Sequence, residues 1–165
     1  MSELFINKPK ALAVTGHRIL AENFDYNELY DTLEKFINKD FDTFLIGMAI
    51  GFDSICFTTL EKLKEKYPFI KLIACIPCLT QSCKFSNAQK KEYDRMLSVA
   101  DEKIVLSQEY TPTCMQKRNK FMVDNASVVL AYMYKNSGGT ANTVNYAKKN
   151  NVPIYFLKGS IIKNN

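Results

Sequence analysis

Residues 47–53 read GMAIGFD, directly after the apolar run FDTFLI (41–46) and directly before SICFTTLEKLKEKY (54–67), whose apolar spacing is helical. A strand that passes through a glycine-rich turn into a helix has two uses. It can cradle an anion on the helix's first amides, or it can let strand and helix pack closely. What lies on either side decides between them.

Working outward, strand-length apolar runs recur at KALAVT (10–15), TFLIG (43–47), FIKLIACI (69–76), KIVL (103–106), SVVLAYMY (127–134) and VPIYFL (152–157). Helical spacing fills most of the gaps. Asp25 with Glu28 reads as a capping box before Tyr26, Leu29, Tyr30, Leu33, Phe36 and Ile37, and Ser86 with Gln89 offers a second. Thr113 starts a helix carrying Met115, Met122 and Val123. Near-continuous apolar strands alternating with helices are what a parallel sheet covered on both faces needs. The pattern predicts one Rossmann-like α/β domain over residues 1–165, a mostly parallel sheet of about six strands. Pro153 places the last strand at an edge, and Lys163 to Asn165 reads as a frayed tail.

The chain has 165 residues, 47% hydrophobic and 12% aromatic, enough for a single core. No stretch reaches the roughly 20 apolar residues that span a bilayer, and MSELFINKPK at the N-terminus has no charged segment followed by a long apolar one. A cytoplasmic protein without a membrane partner is expected. Cys56, Cys75, Cys78, Cys83 and Cys114 are odd in number and read as reduced thiols. CIPC (75–78) with Cys83 falls short of a zinc site, because neither a second CxxC nor a nearby histidine completes four ligands, so no metal is expected. The net charge of +5 comes from lysines dispersed along helix faces, a solvated surface rather than a nucleic-acid patch.

In an open α/β sheet, ligands bind beyond the carboxyl ends of the strands. Four segments there are unusual: TGHR (15–18), GMAIGFD, MQKRNKFM (115–122) and SGGT (137–140). Five of the six glycines lie in them. Each turn alone is as well explained by packing; several at one edge favour phosphate binding. Neither GxGxxG after the first strand nor GxxxxGK[ST] is present, so an ordinary NAD site or a P-loop is excluded, and no dedicated cofactor is expected. Arg18 can grip a phosphate in two-pronged fashion, and His17 can contact it or cap the loop. Asp53 can cap a helix, accept from a ribose, or both. Arg118 and Asn119, early in their helix, can reach an anion.

AVTGHR (13–18), GMAIGFD, IACIPC with Gln81 (73–81), YDRMLSVAD (93–101), CMQKRNKFMVDNA (114–126) and SGGTANTVNYA (137–147), in this order, resemble the SLOG superfamily of Rossmann-like proteins, most closely its YpsA-like branch. GMAIGFD is similar to the glycine motif of the DNA-processing protein DprA, which binds single-stranded DNA. MQKRNKFM is similar to the MxxRxxxM element of the LOG enzymes, which release a base from nucleoside 5′-monophosphates and in which the arginine matching Arg118 is catalytic. Their glutamate, three residues after the threonine, is here Thr143.

The resemblance thus implies a sensor or regulator, in stress, phage-related signalling or cell division, that binds a nucleotide or nucleotide-derived ligand through Gly16, His17, Arg18, Gly47, Gly51, Asp53, Arg118, Asn119, Gly138, Gly139 and Thr140. The phosphate is expected over the helix starts after Gly47 and Gly138. A nucleoside-monophosphate glycosidase using Arg118 and a single-stranded nucleic-acid binder are the alternatives. A homodimer fits the resemblance, whose members commonly dimerise.

Overall fold

The computed structural model describes residues 6–164; residues 1–5, half of the N-terminal stretch read above, and residue 165 of the tail lie outside the described residues. After a 3-10 turn at Lys8–Lys10 the chain runs β1 (Ala11–Gly16), α1 (Tyr26–Asn38), β2 (Thr43–Ile46), α2 (Phe52–Lys66), β3 (Lys71–Ile76), α3 (Asn87–Val99), β4 (Glu102–Val105), α4 (Cys114–Asp124), β5 (Val128–Tyr132), α5 (Gly138–Lys149) and β6 (Ile154–Phe156). All strands pair in parallel, in the order β4-β3-β2-β1-β5-β6. This is the α/β architecture expected from the apolar runs, and β6, which carries Pro153 just before it, is an edge.

Side chains alternate across each strand, so one run feeds two cores. Leu12 and Val14 of β1, Phe44 and Ile46 of β2, and Leu130 and Tyr132 of β5 face α1, α2 and α3, packing with Leu29, Leu33, Phe57, Leu60 and Tyr93. Ala13, Leu45, Ile73, Cys75 and Val129 face the other layer, against Met122 and Val123 of α4 and Ala147 of α5. Central strands buried on both faces have no polar alternation, which is why they read as unbroken apolar runs.

Two local readings need correction. Asp25 accepts from the Glu28 amide at 3.0 Å, but the Glu28 carboxylate turns away to accept from the Lys158 amide, so the capping box at α1 closes in one direction only. At α3, Ser86 and Gln89 complete theirs. Thr113 starts α4 as expected, as its N-cap, though without a side-chain cap bond. The tail is not frayed at Asn164, whose side chain bonds both the amide and the carbonyl of Phe156 and so extends the edge of the sheet.

The chain builds β1 to β4 outward in one direction and then returns to place β5 on the other side of β1. The loops after β1 and β5 therefore diverge, leaving a crevice at the carboxyl ends of the strands.

Candidate functional site

That crevice holds a cavity of about 270 Å³. Its walls include Thr15, Gly16, His17 and Arg18 after β1, Gly47 and Ala49 after β2, Asp53 of α2, Met115, Arg118, Asn119 and Met122 of α4, and Ser137 to Thr140 at the start of α5. Ten of the eleven residues singled out from the sequence meet there. Gly51 does not; it faces a separate pocket between α2 and α3.

The glycines divide into two kinds. At Gly51 the backbone turns through φ +82°, and a Cβ would run into the Arg18 carbonyl, while at Gly16 it would run into the Phe52 ring. At Gly47 a Cβ would stand 2.8 Å from the Arg118 guanidinium. Packing alone requires those three. At Gly139 the nearest atom to a Cβ is the Asn119 amide nitrogen at 4.0 Å, and at Gly138 none lies within 4 Å, although its φ of +86° itself favours glycine. Gly16 and Gly47 also line the cavity, but the open glycines there are the two at the start of α5.

The helix starts divide in the same way. At α2 the first amide is taken by the His17 carbonyl, and the Asp53 carboxylate, not an N-cap but a first-turn residue, accepts from the Ala49 amide at 3.1 Å. One amide of that end is thus taken from within the protein, and a carboxylate stands beside it. At α5 the N-cap Ser137 makes no side-chain bond to the helix, and Ser137, Gly138, Gly139 and Thr140 line the cavity wall. A helix start with unclaimed amides and its positive dipole end offers an anion several donors at once.

Arg118 is 6% exposed. It lies on the buried stripe of α4 between Cys114 and Met122, four residues from each. Its Nη1 donates to the Gly47 carbonyl and, at 3.5 Å, to that of Cys75, and its Nε donates to Asn119 Oδ1 at 2.7 Å. Gln81 Nε2 donates to the same Gly47 oxygen at 2.9 Å, and its Oε1 accepts from the Tyr93 hydroxyl. The guanidinium thus holds the end of β2 while touching the cavity; burial pulls its pKa down, against the pull of Asp53. Arg18, by contrast, is exposed on the cavity wall, and among the described residues its side chain bonds nothing.

Asp53 is 7% exposed, and burial raises its pKa to about 6 against the opposing Arg118 charge and Ala49 amide. Its Oδ2 is held by Ala49, whereas Oδ1 has no partner; since no buried side-chain oxygen among the described residues lacks one, Oδ1 opens onto the cavity. His17 caps amides rather than a carbonyl. Its Nε2 accepts from Tyr134 at 3.1 Å and Lys135 at 3.2 Å, which binds the loop after β1 to the loop after β5 and places the ring proton on Nδ1. Burial and Lys135 lower its pKa.

Thr143 does not face the cavity. Its hydroxyl donates to the Gly139 carbonyl, and it lines a groove between α4 and α5 with Asn119 and Tyr146. The thiols of CIPC point apart as well: Cys75 lies in the α4–α5 layer, while Cys78 lines a second cavity with Gln81. Sequence reasoning missed Gln81 as the second donor to Gly47, and Ser137 and Ala49 as cavity wall.

The YpsA family model, described as the YspA SLOG family, matches residues 23–160. Among curated proteins of Bacillus subtilis, the SPbeta prophage-derived protein YoqJ is 35% identical over 136 residues, covering 74% of this chain and 80% of YoqJ. YpsA is 24% identical over 165 residues, covering 90% and 92%. Among solved structures, DprA from Streptococcus pneumoniae superposes with a TM-score of 0.69 at 19% identity, covering 94% of this chain and 52% of DprA. DprA from Helicobacter pylori, solved to study its single-stranded DNA binding mode, gives 0.65 at 18%, covering 96% and 70%. These two likenesses are of fold. No helix among the described residues is long and apolar enough to cross a membrane.

Proposed function

We propose that this chain, which belongs to the YspA SLOG family, holds the phosphate of a nucleotide or nucleotide-derived ligand in its switch-point cavity and serves as a sensor or regulatory domain. The observation that carries the reading is the start of α5, where open glycines border the cavity and Arg18 stands unpaired on its wall. The phosphate meets the amides of Gly138, Gly139 and Thr140 and the Arg18 guanidinium. Asp53 Oδ1 accepts from a sugar hydroxyl, and Asn119 borders the same space. Gly16, His17, Gly47, Gly51 and Arg118 shape the loops around the ligand.

A thermal-shift screen over nucleoside phosphates, cyclic nucleotides, NAD and ADP-ribose tests the reading. A ligand at 100 times its dissociation constant adds about 2.7 kcal/mol to apparent stability. A stabilising phosphate compound whose effect is lost in Arg18→Ala is expected; a flat screen with protein free of carried-over ligand contradicts the proposal. A single strand offers the same phosphate chemistry, and salt-sensitive retention of an oligonucleotide in place of mononucleotides would move the reading towards the ligand named for DprA.

Asp53 favours one second reading. A carboxyl with a pKa of about 6 and one oxygen in the cavity can both donate and accept a proton near neutrality, as glycosidic cleavage requires. Release of free base from a nucleoside monophosphate, abolished in Asp53→Asn, would establish a hydrolase.

A further inference from the structure

A second cavity of about 560 Å³ opens beside the first, and Arg18, Ala49, Met115 and Arg118 form the shared wall. The two differ in chemistry. The first has helix amides and a carboxylate; the second has the rings of Phe85 and Tyr110, the side chain of Ile50, and no acidic residue.

Its aromatic residues differ in what already covers them. Phe85 is fixed edge-on against Tyr93, with ring centroids 5.7 Å apart. Tyr110 is 65% exposed. An exposed ring on the rim of a cavity offers a flat face to another flat ring, and the cationic side chains on the same lining, Arg18, Lys84 and Arg118, favour an electron-rich partner.

The polar groups are equally selective. Gln81 spends both ends of its amide on Gly47 and Tyr93, so it builds the wall. Gln89 gives its oxygen to the Ser86 amide, and its Nε2 has no partner among the described residues. That leaves the Gln89 amide nitrogen, beside the Thr80 and Tyr110 hydroxyls, as an uncharged donor for an acceptor on a ring edge.

We infer that this second cavity is the nucleobase subsite: the base of the ligand lies between Phe85 and Tyr110, with Gln89 at its edge and Arg18 at the junction with the phosphate. The inference rests on the nucleotide reading of the first cavity, because the phosphate there is what directs the rest of the ligand across Ala49. The same base chemistry is offered by a free nucleotide and by the end of a nucleic-acid strand.

The test compares a nucleoside 5′-monophosphate series with ribose 5-phosphate, by calorimetry, on the wild-type chain, Tyr110→Ala and Tyr110→Phe. At least one nucleoside monophosphate is expected to bind about tenfold tighter than ribose 5-phosphate. Tyr110→Ala then loses at least about fivefold for the nucleotide, the scale of one stacked aromatic, and nothing for the sugar phosphate. Tyr110→Phe keeps the nucleotide affinity. Equal affinity for nucleotide and sugar phosphate, or an equal loss for both in Tyr110→Ala, overturns the base subsite and leaves the phosphate site standing. Binding of neither overturns both. Displacement of the nucleotide by a 5′-phosphorylated oligonucleotide assigns the base to a strand end, and absence of displacement assigns it to a free nucleotide; either keeps it in this cavity.

Discussion

Arg118 donates to the carbonyl of Gly47 across two elements 71 residues apart in the chain, and through that bond α4 fixes the turn that ends β2. A guanidinium that is 6% exposed and bonded to main-chain oxygen belongs to the frame of the site as much as to its surface.

Arg118→Ala is therefore expected to cost about 2–4 kcal/mol, since it strips a charged donor from buried carbonyls and leaves Asp53 without its nearest countercharge. Arg118→Lys does not restore it, because an ammonium cannot span the Gly47 oxygen and Asn119 together as the planar fork does. Urea unfolding measures both; wild-type stability in either would refute the anchoring role.

The two kinds of glycine make opposite predictions. Gly47→Ala pushes a methyl into the Arg118 guanidinium and is expected to destabilise by about 1–3 kcal/mol. Gly139→Ala meets only the Asn119 amide nitrogen at 4.0 Å, an ordinary contact, so stability stays within about 1 kcal/mol of wild type while phosphate-ligand affinity is expected to fall, because in the proposed site the methyl stands where the phosphate approaches. Parallel melting curves and titrations separate the two effects.

Asp53 sets a pH dependence. Its folded pKa, about 6, exceeds the ordinary 3.8, so the stability linked to its proton is full below pH 3.8 and is lost as pH rises through 6. Asp53→Asn removes that loss and is expected to raise stability at pH 8 by up to about 3 kcal/mol, with no gain below pH 4. The same variant is expected to bind ligand more weakly, since an amide oxygen accepts a sugar hydroxyl less strongly than a carboxylate. Denaturation at both pH values, beside a binding titration, checks the pair of effects.

His17 acts in the opposite direction. Its folded pKa is lowered from 6.5, so its contribution is present above 6.5 and is lost as pH falls through the lower folded value. A protonated ring cannot accept from Tyr134 and Lys135, and the loop into α5 loses its tie. Protection of those two amides from hydrogen exchange, taken relative to the intrinsic rate at each pH, is expected to fall on acidification, and His17→Gln to reduce that dependence.

Much of this was legible in the residues, for physical reasons. Parallel strands buried on both faces leave unbroken apolar runs, and Ser86 with Gln89 forms a box because its partners are three residues apart. The burial of Arg118 was readable too: it stands at the middle of the apolar spacing Cys114, Arg118, Met122, where an exposed arginine does not belong. Other features depend on distant partners. Glu28 leaves its local box for an amide 130 residues away, and His17 finds its donors 117 and 118 residues on, contacts that no local pattern encodes. The stretch GMAIGFD itself reads differently in place. Its glycines are demanded by the Arg18 carbonyl and the Arg118 guanidinium, its first helix amide is taken by the His17 carbonyl, its Asp53 carboxylate holds the Ala49 amide, and the glycines with open space belong to SGGT.

Calorimetric titration of a nucleoside phosphate from the thermal-shift screen into the wild-type chain, Arg18→Ala and Gly139→Ala tests the phosphate site most directly. The account predicts saturable binding to the wild type, weakened at least about tenfold in each variant while both keep wild-type melting temperatures. Undiminished affinity in both variants would place the ligand elsewhere and contradict it.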